Sequence, residues 1–269
     1  MIRILMIGDV VGKPGRRVVQ QQLPLLKKQI APDIVIANGE NAAGGSGITP
    51  TIFNKLIAYG IDGITLGDHA FRQSDIHPVM NDLNNLIRPA NLPDSAPGHR
   101  AMTISTKAGV ALNVITVLGR LFMPTLAADD PFATVDRLLE QLPAGPTLVE
   151  VHAEATSEKV ALGHYLDGRV AAVVGTHTHI PTADAKLLPG GTAYITDLGM
   201  TGPYDSVLGR RKDRVLQFMT TAVPAQFSVA DDDVRLCGVV IEIGDDGKAV
   251  RVDRVEARAD MDQPPFSAA

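Results

Sequence analysis

Short apolar runs alternate with amphipathic stretches along the first third of the chain. RILMIG (3–8), DIVIA (33–37) and GITLG (63–67) are continuous aliphatic runs bounded by Gly, Asn and Asp, the pattern of strands buried on both faces. After the first run, a basic glycine-containing turn, GKPGRR, opens a helical pattern with Val18, Val19, Leu23 and Leu26 on one side. Pro24 lies inside that pattern and argues against an unbroken helix. The second run ends in NGENAAGGSG, after which Thr49 and Pro50 supply an N-cap and a first-turn proline for a helix reaching about Ala58. Such β-α-β-α-β crossovers imply parallel pairing. A fourth short strand is expected over residues 86–91.

Beyond residue 100 the pattern becomes richer in strands. MTIST (102–106) and VALNVITVLG (110–119) are close enough in sequence to pair antiparallel. Asp130 and Pro131 start a helix with Phe132, Val135, Leu138, Leu139 and Leu142 on its apolar side. LVEVH (148–152) and VAAVVG (170–175) read as strands around a helix over 156–166. DAKLL and TAYIT flank the turn residues PGG, and RLCGVVIEIG and KAVRVDRVEA flank an Asp-Gly turn, the signature of a hairpin. The pattern specifies an α/β protein with two packed mixed β-sheets flanked by α-helices. Without a Pro/Gly/Ser-rich linker to divide it, the chain is expected to form one domain over 1–269, with 259–269 as a loose tail. Apolar residues in 119–132 (GRLFMPTLAADDPF) are expected to be buried beneath the sheets.

Composition narrows the function classes. The 269 residues are 45% hydrophobic and 20% charged, with a formal net charge of −5, which argues against nucleic-acid binding driven by net charge. The one local basic run, GRRKDR (209–214), is expected to be a solvated loop. Cys237 is the only cysteine, so no internal disulfide can form, and its apolar surroundings mark it as a core residue. The N-terminus lacks the apolar region and cleavage site of a leader, and no run is long enough to span a membrane. A cytoplasmic location is the expectation.

The chemistry lies at the ends of the strands. Asp9, Glu40–Asn41, Asp68–His69, His152 and His177–His179 each directly follow an apolar run. In a parallel sheet the C-terminal strand ends share one edge, where ligand sites of α/β proteins form. Each cluster alone has a plain alternative, such as a capping aspartate, a turn asparagine or a hydrogen-bonded core histidine. Five of them at five strand ends make a metal site. His177 and His179, read as two residues apart in extended backbone, would point the same way. The donors are carboxylate, carboxamide and imidazole, which suit iron, manganese or zinc better than calcium. Seven candidate metal ligands (Asp9, Glu40, Asn41, Asp68, His152, His177 and His179) exceed one tetrahedral site and suit two adjacent divalent ions, about 3.5–4 Å apart in such centres. His77, His99 and His164 follow no such strand and are expected to be structural or surface groups. GDVVGKPG fails as a phosphate loop, since its glycine spacing is too short and proline follows Lys13.

The motifs GDV (8–10), NGEN (38–41), GDH (67–69), VHAE (151–154) and GTHTH (175–179) resemble those of the calcineurin-like metallophosphoesterases. MIGDVVGKPGR, NGENAAGGSGIT, GTHTHIPTAD and ITDLGMTGP are similar to the bacterial branch that acts on 2′,3′-cyclic nucleotides, and the likeness runs over nearly the whole chain. The resemblance implies a two-sheet sandwich, a dinuclear centre often of iron or manganese, and a homo-oligomer. It implies Asp9, Asn41 and His179 on the first metal, Asp68, His152 and His177 on the second, Glu40 as the bridge, and His69 as catalytic general acid. Two positions depart from the superfamily pattern. Val11 stands where its first motif carries histidine, a gap that Asn41 would fill, and Asp68 stands where asparagine is usual. A carboxylate there should hold the ion more tightly and weaken its Lewis acidity.

The function expected is hydrolysis of 2′,3′-cyclic nucleotides to monophosphates, through attack of a metal-bridging hydroxide and protonation of the leaving ribose oxygen by His69. The competing readings are a phosphoesterase acting on phosphoproteins or RNA, and a regulatory protein that binds RNA or a partner through a vestigial metal site.

Overall fold

The computed structural model describes residues 1–106, 109–123 and 128–259. In chain order the elements are β1 (Ile2–Ile7), α1 (Gly12–Ile30), β2 (Ile34–Asn38), α2 (Pro50–Ala58), β3 (Gly63–Thr65), a 3-10 helix (Ser74–Asp82), β4 (Leu86–Ile87), β5 (Ala101–Ser105) and β6 (Ala111–Leu118). There follow α3 (Pro131–Gln141), β7 (Thr147–His152), α4 (Thr156–Tyr165), β8 (Ala172–Thr176), β9 (Lys186–Leu187), β10 (Ala193–Ile195), β11 (Gly202–Pro203), α5 (Lys212–Thr221), β12 (Val234–Ile243) and β13 (Ala249–Arg258).

The strands form two mixed sheets. The first runs β11-β12-β1-β2-β3-β4, with β13 on the other edge of β12, and the second runs β5-β6-β7-β8-β10-β9. Strands β1 to β4 are parallel to one another, as are β6, β7, β8 and β10. Alternation along β1 explains the layering. Ile4 and Met6 join Ile36, Val114, Val174 and Ile241 between the sheets, while Leu5 and Ile7 face Val18, Val19 and Leu23 of α1. On the far side, α3 and α4 bury Val135, Leu138 and Leu162 against Ile115, Val149 and Val173. The result is a helix–sheet–sheet–helix sandwich whose parallel strands end on one edge. The antiparallel β5–β6, β9–β10 and β12–β13 pairs match the sequence expectation. Among the described residues no helix is long and apolar enough to cross a membrane.

Four local expectations are corrected. Helix α1 runs unbroken through Pro24, whose exposed position leaves the packing of Val18, Val19, Leu23 and Leu26 on the sheet intact. The fourth strand is only two residues long, because the buried Arg88 side chain binds the carbonyls of Pro89, Leu92, Pro93 and Ala96 and holds them in a loop. The GRRKDR run is not a solvated loop throughout, since Gly209 is buried and Arg210 partly buried at its start. From Lys212 it is helical, and the sequence concealed this because α5 buries Val215 alone. In 119–132, Leu121 and Phe122 are exposed rather than buried, while 124–127 lie outside the described residues, as does the expected tail from 260 onward.

Candidate metal centre

Each sequence-identified residue sits at the shared edge. Asp9 follows β1, Glu40 and Asn41 follow β2, Asp68 and His69 follow β3, His152 ends β7, and His177 and His179 follow β8. One ligand atom from each of Glu40, Asp68, His152 and His177 lies within 4.8 Å of the others. Nε2 of His152 is 3.3 Å from Oε1 of Glu40, and 3.1 Å from both Oδ1 of Asp68 and Nδ1 of His177. Asp9, Asn41 and His179 adjoin this group. Asp9 Oδ1 is 4.0 Å from Nε2 of His179, and the Asn41 carboxamide nitrogen is 3.1 Å from the same atom.

The backbone makes this crowding possible. A Cβ on Gly67 would fall 2.3 Å from both Glu40 Oε2 and His152 Nε2, so only glycine fits before Asp68. His177 and His179 converge by a route the sequence did not show. Both have positive φ, 94° and 67°, so the extended backbone expected for them is replaced by a left-handed turn. Such strain at non-glycine residues persists only where the surroundings hold it. Here the buried Asp197 holds it, accepting from the amide and hydroxyl of Thr178 at 3.2 and 2.8 Å and from Lys159 Nζ at 2.7 Å.

Each of the three imidazoles turns one nitrogen outward to an oxygen. His152 turns Nδ1 to Thr176 Oγ1 at 2.9 Å, His177 turns Nε2 to Glu154 Oε2 at 3.3 Å, and His179 turns Nδ1 to the Leu208 carbonyl at 3.1 Å. In each, the other nitrogen faces the cluster. An oxygen acceptor on the outer nitrogen fixes the tautomer that a metal ligand needs. The Thr176 hydroxyl donates to Glu150 at 2.6 Å, so it accepts from His152. Glu150 also accepts from Asn38 and Thr116, and Asn38 receives the Glu40 amide.

Charge at the site is poised for a cation. Burial, reinforced by the nearby Glu40 charge, raises the Asp9 pKa to about 7 against the opposing pull of His152. Asp9 Oδ1 is buried and, among the described residues, has no hydrogen-bond partner. Burial opposes ionisation of Glu40 and Asp68 too. There the charge of His152 and its hydrogen bonds, with one from His177 to Asp68, win and hold both carboxyls below their usual range. Burial works against protonation of His152, yet Glu40, Asp68 and Asp9 raise its pKa well above the ordinary value. A divalent ion would satisfy these carboxylates in its stead, and the donor set fits iron, manganese or zinc.

A cavity of about 270 Å³ opens onto the cluster, walled by Val11, His69, Glu154, Leu208 and Arg210 among others. His69 donates its amide to Glu40 Oε2 at 3.0 Å and turns Nδ1 to Asn41 Oδ1 at 2.7 Å. Its Nε2 lies 3.7 Å from Asp68 Oδ2. The glycine-rich loop is pinned rather than loose. Arg16 binds the Ala42 carbonyl, Gln73 that of Ser46, and Arg210 those of Gly44 and Gly45.

Sequence reasoning missed Glu150, Thr176, Glu154, Asp197 and Lys159. The VHAE and ITDLG motifs contained two of them without marking their roles. His77 and His99 bond backbone carbonyls elsewhere and His164 is exposed, as expected of structural or surface groups.

A family model described as "YmdB-like protein" matches residues 5–255. A 2′,3′-cyclic-nucleotide 2′-phosphodiesterase of Bacillus subtilis is 49% identical over 257 residues, covering 94% of this chain and 96% of the relative. Two solved structures superpose with TM-scores of 0.90. One is a hypothetical protein of Thermus thermophilus, 42% identical and covering 96% of this chain and 99% of its own. The other is a novel phosphatase of Mycoplasma pneumoniae, 31% identical and covering 96% and 93%.

Proposed function

This chain belongs to the YmdB-like family, with the fold of the calcineurin-like metallophosphoesterases, and from that premise we propose that it hydrolyses 2′,3′-cyclic nucleotides to nucleoside monophosphates at the Asp9–His179 cluster. The observation that carries the reading is the approach of Glu40, Asp68, His152 and His177 to within 4.8 Å, with one ligand atom of each facing the others. The name of the Bacillus subtilis relative supplies the substrate class.

In this reading Asp9, Asn41 and His179 would hold one divalent ion and Asp68, His152 and His177 a second, with Glu40 serving both. The donor set would suit iron, manganese or zinc. Such ions, when bound, supply a nucleophile at neutral pH and neutralise charge on the non-bridging phosphoryl oxygens.

The chain's own groups do the rest. The cavity admits the cyclic phosphate beside His69. As a water oxygen bonds to phosphorus, its proton passes to solvent, from which His69 is later reprotonated, and the bond to the ribose 2′ oxygen breaks on the opposite side. His69, held through Nδ1 by Asn41 and through its amide by Glu40, presents Nε2 and gives its proton to that oxygen. The 3′-phosphate remains.

A substrate panel tests the assignment. The metal-loaded protein should convert 2′,3′-cyclic AMP to 3′-AMP faster than it cleaves 3′,5′-cyclic AMP, a phosphopeptide or an RNA phosphodiester. Preference for either of the last two would move the reaction to a different phosphoester.

A further inference from the structure

The basic run at 209–214 is not one patch. Arg211 pairs with Asp213 at 3.2 Å, Lys212 with Asp205 at 2.5 Å, and Arg214 approaches Asp213 at 4.0 Å. All three lie on the exposed side of the segment. Arg210 alone turns inward, is partly buried, and lines the cavity over the metal cluster. Among the described residues it has no carboxylate partner, and it is the only Lys or Arg in the cavity wall.

Its placement is specified in detail. Nη1 donates to the Gly44 carbonyl at 3.2 Å and Nη2 to that of Gly45 at 2.6 Å. Gly45 has φ of +86°, and a Cβ there would meet Nη1 at 2.7 Å and Cζ at 2.8 Å. Gly45 therefore leaves the space the guanidinium occupies. The segment carrying Arg210 is tied at Val207 by paired backbone hydrogen bonds, both 2.9 Å. A guanidinium has five N–H donors, and two carbonyl bonds leave three for a ligand.

Peptide carbonyls orient this cation but do not neutralise it. The acidic groups of the cavity are Glu40, engaged with the histidines, and Glu154, engaged with His177. An uncompensated guanidinium in a cavity wall is suited to an anion, bound through charge-assisted hydrogen bonds. Resting on the phosphodiesterase reading, we propose that Arg210 is the anion-recognition residue of this site, binding a non-bridging oxygen of the substrate's phosphate and so selecting anionic phosphoesters. The glycine-rich loop then has a defined task, which is to hold the guanidinium in place.

The test is titration of inorganic phosphate, by calorimetry, into the metal-loaded wild type and its Arg210→Gln and Arg210→Lys variants. Metal content and turnover of 2′,3′-cyclic AMP are measured on the same samples. The Gln variant should bind phosphate roughly tenfold to a hundredfold more weakly at unchanged metal content. The Lys variant, which keeps the charge but lacks the planar fork of donors, should recover part of that loss. KM should rise more than kcat falls. Phosphate binding equal to wild type in the Gln variant would overturn the proposal, and with a raised KM it would place the guanidinium against the base or sugar. Metal loss in both variants would also overturn it, making Arg210 a staple of the loop alone. Wild-type protein that binds phosphate through Arg210 yet leaves 2′,3′-cyclic AMP intact would sink the substrate assignment and leave this inference standing.

Discussion

Nδ1 of His152 lies 2.9 Å from the hydroxyl oxygen of Thr176, and that hydroxyl is committed as a donor to Glu150. The histidine must therefore carry its proton on Nδ1, leaving Nε2 for the centre of the cluster. Replacing Thr176 with valine removes the acceptor while nearly preserving shape. The variant should bind metal about 10- to 100-fold more weakly, the usual effect of losing an outer partner of a ligating histidine. A competition titration against a chelator measures this, and an unchanged affinity would show that Thr176 does not set the tautomer.

Asp9 predicts an unusual pH response of the metal-free protein. Its pKa is raised to about 7 from an ordinary 3.8, so between these values the folded state holds a proton that the unfolded chain has released. The Asp9 contribution to stability then falls as pH rises from about 4 to 7. The raised pKa of His152 adds loss in the same direction at higher pH. The Asp9→Asn variant should lose the Asp9 part, on the order of a few kcal/mol across that window. Urea denaturation of chelated wild type and variant at several pH values gives the comparison, and parallel curves would contradict the assignment.

His69 contacts the cluster through its amide and Nδ1 and is not among the proposed metal ligands. His69→Ala should keep its metal and lose roughly 10²- to 10⁴-fold in turnover, the range for a general acid. Metal analysis beside steady-state kinetics separates the two effects, and loss of metal would make His69 a structural part of the centre.

Lys159 and Asp197 form a buried ion pair beneath the turn that carries His177 and His179. Lys159→Ala strands the Asp197 charge and should destabilise the protein by about 3–5 kcal/mol. Thermal or denaturant unfolding reads this directly. A change below about 1 kcal/mol would mean that the pair does not support the turn.

These residues also mark what was legible in the sequence. The strands were readable because buried parallel strands are continuous apolar runs, and the candidate ligands because each stands at the end of one. Glu150 was invisible for the converse reason. Set within TLVEVH, it looks like the solvent-facing position of a half-buried strand, and only the fold brings Asn38, Thr116 and Thr176 onto its carboxylate. The same holds for Asp197 and Lys159, 38 residues apart. The left-handed turn at His177 and His179 has no local signal, because neither residue is glycine and the strain is held by distant groups. Helix α5 escaped notice since its single buried side chain leaves no apolar periodicity.

The most direct test of the central claim is turnover of 2′,3′-cyclic AMP, with metal content assayed on the same samples, in wild type and Glu40→Ala. Glu40 stands among Asp68, His152 and Asn41. The account predicts about two metals per chain and turnover in the wild type, with turnover abolished by the substitution and by chelation. A wild type that takes up no metal on reconstitution, or a Glu40→Ala variant that turns over at the wild-type rate, would contradict it.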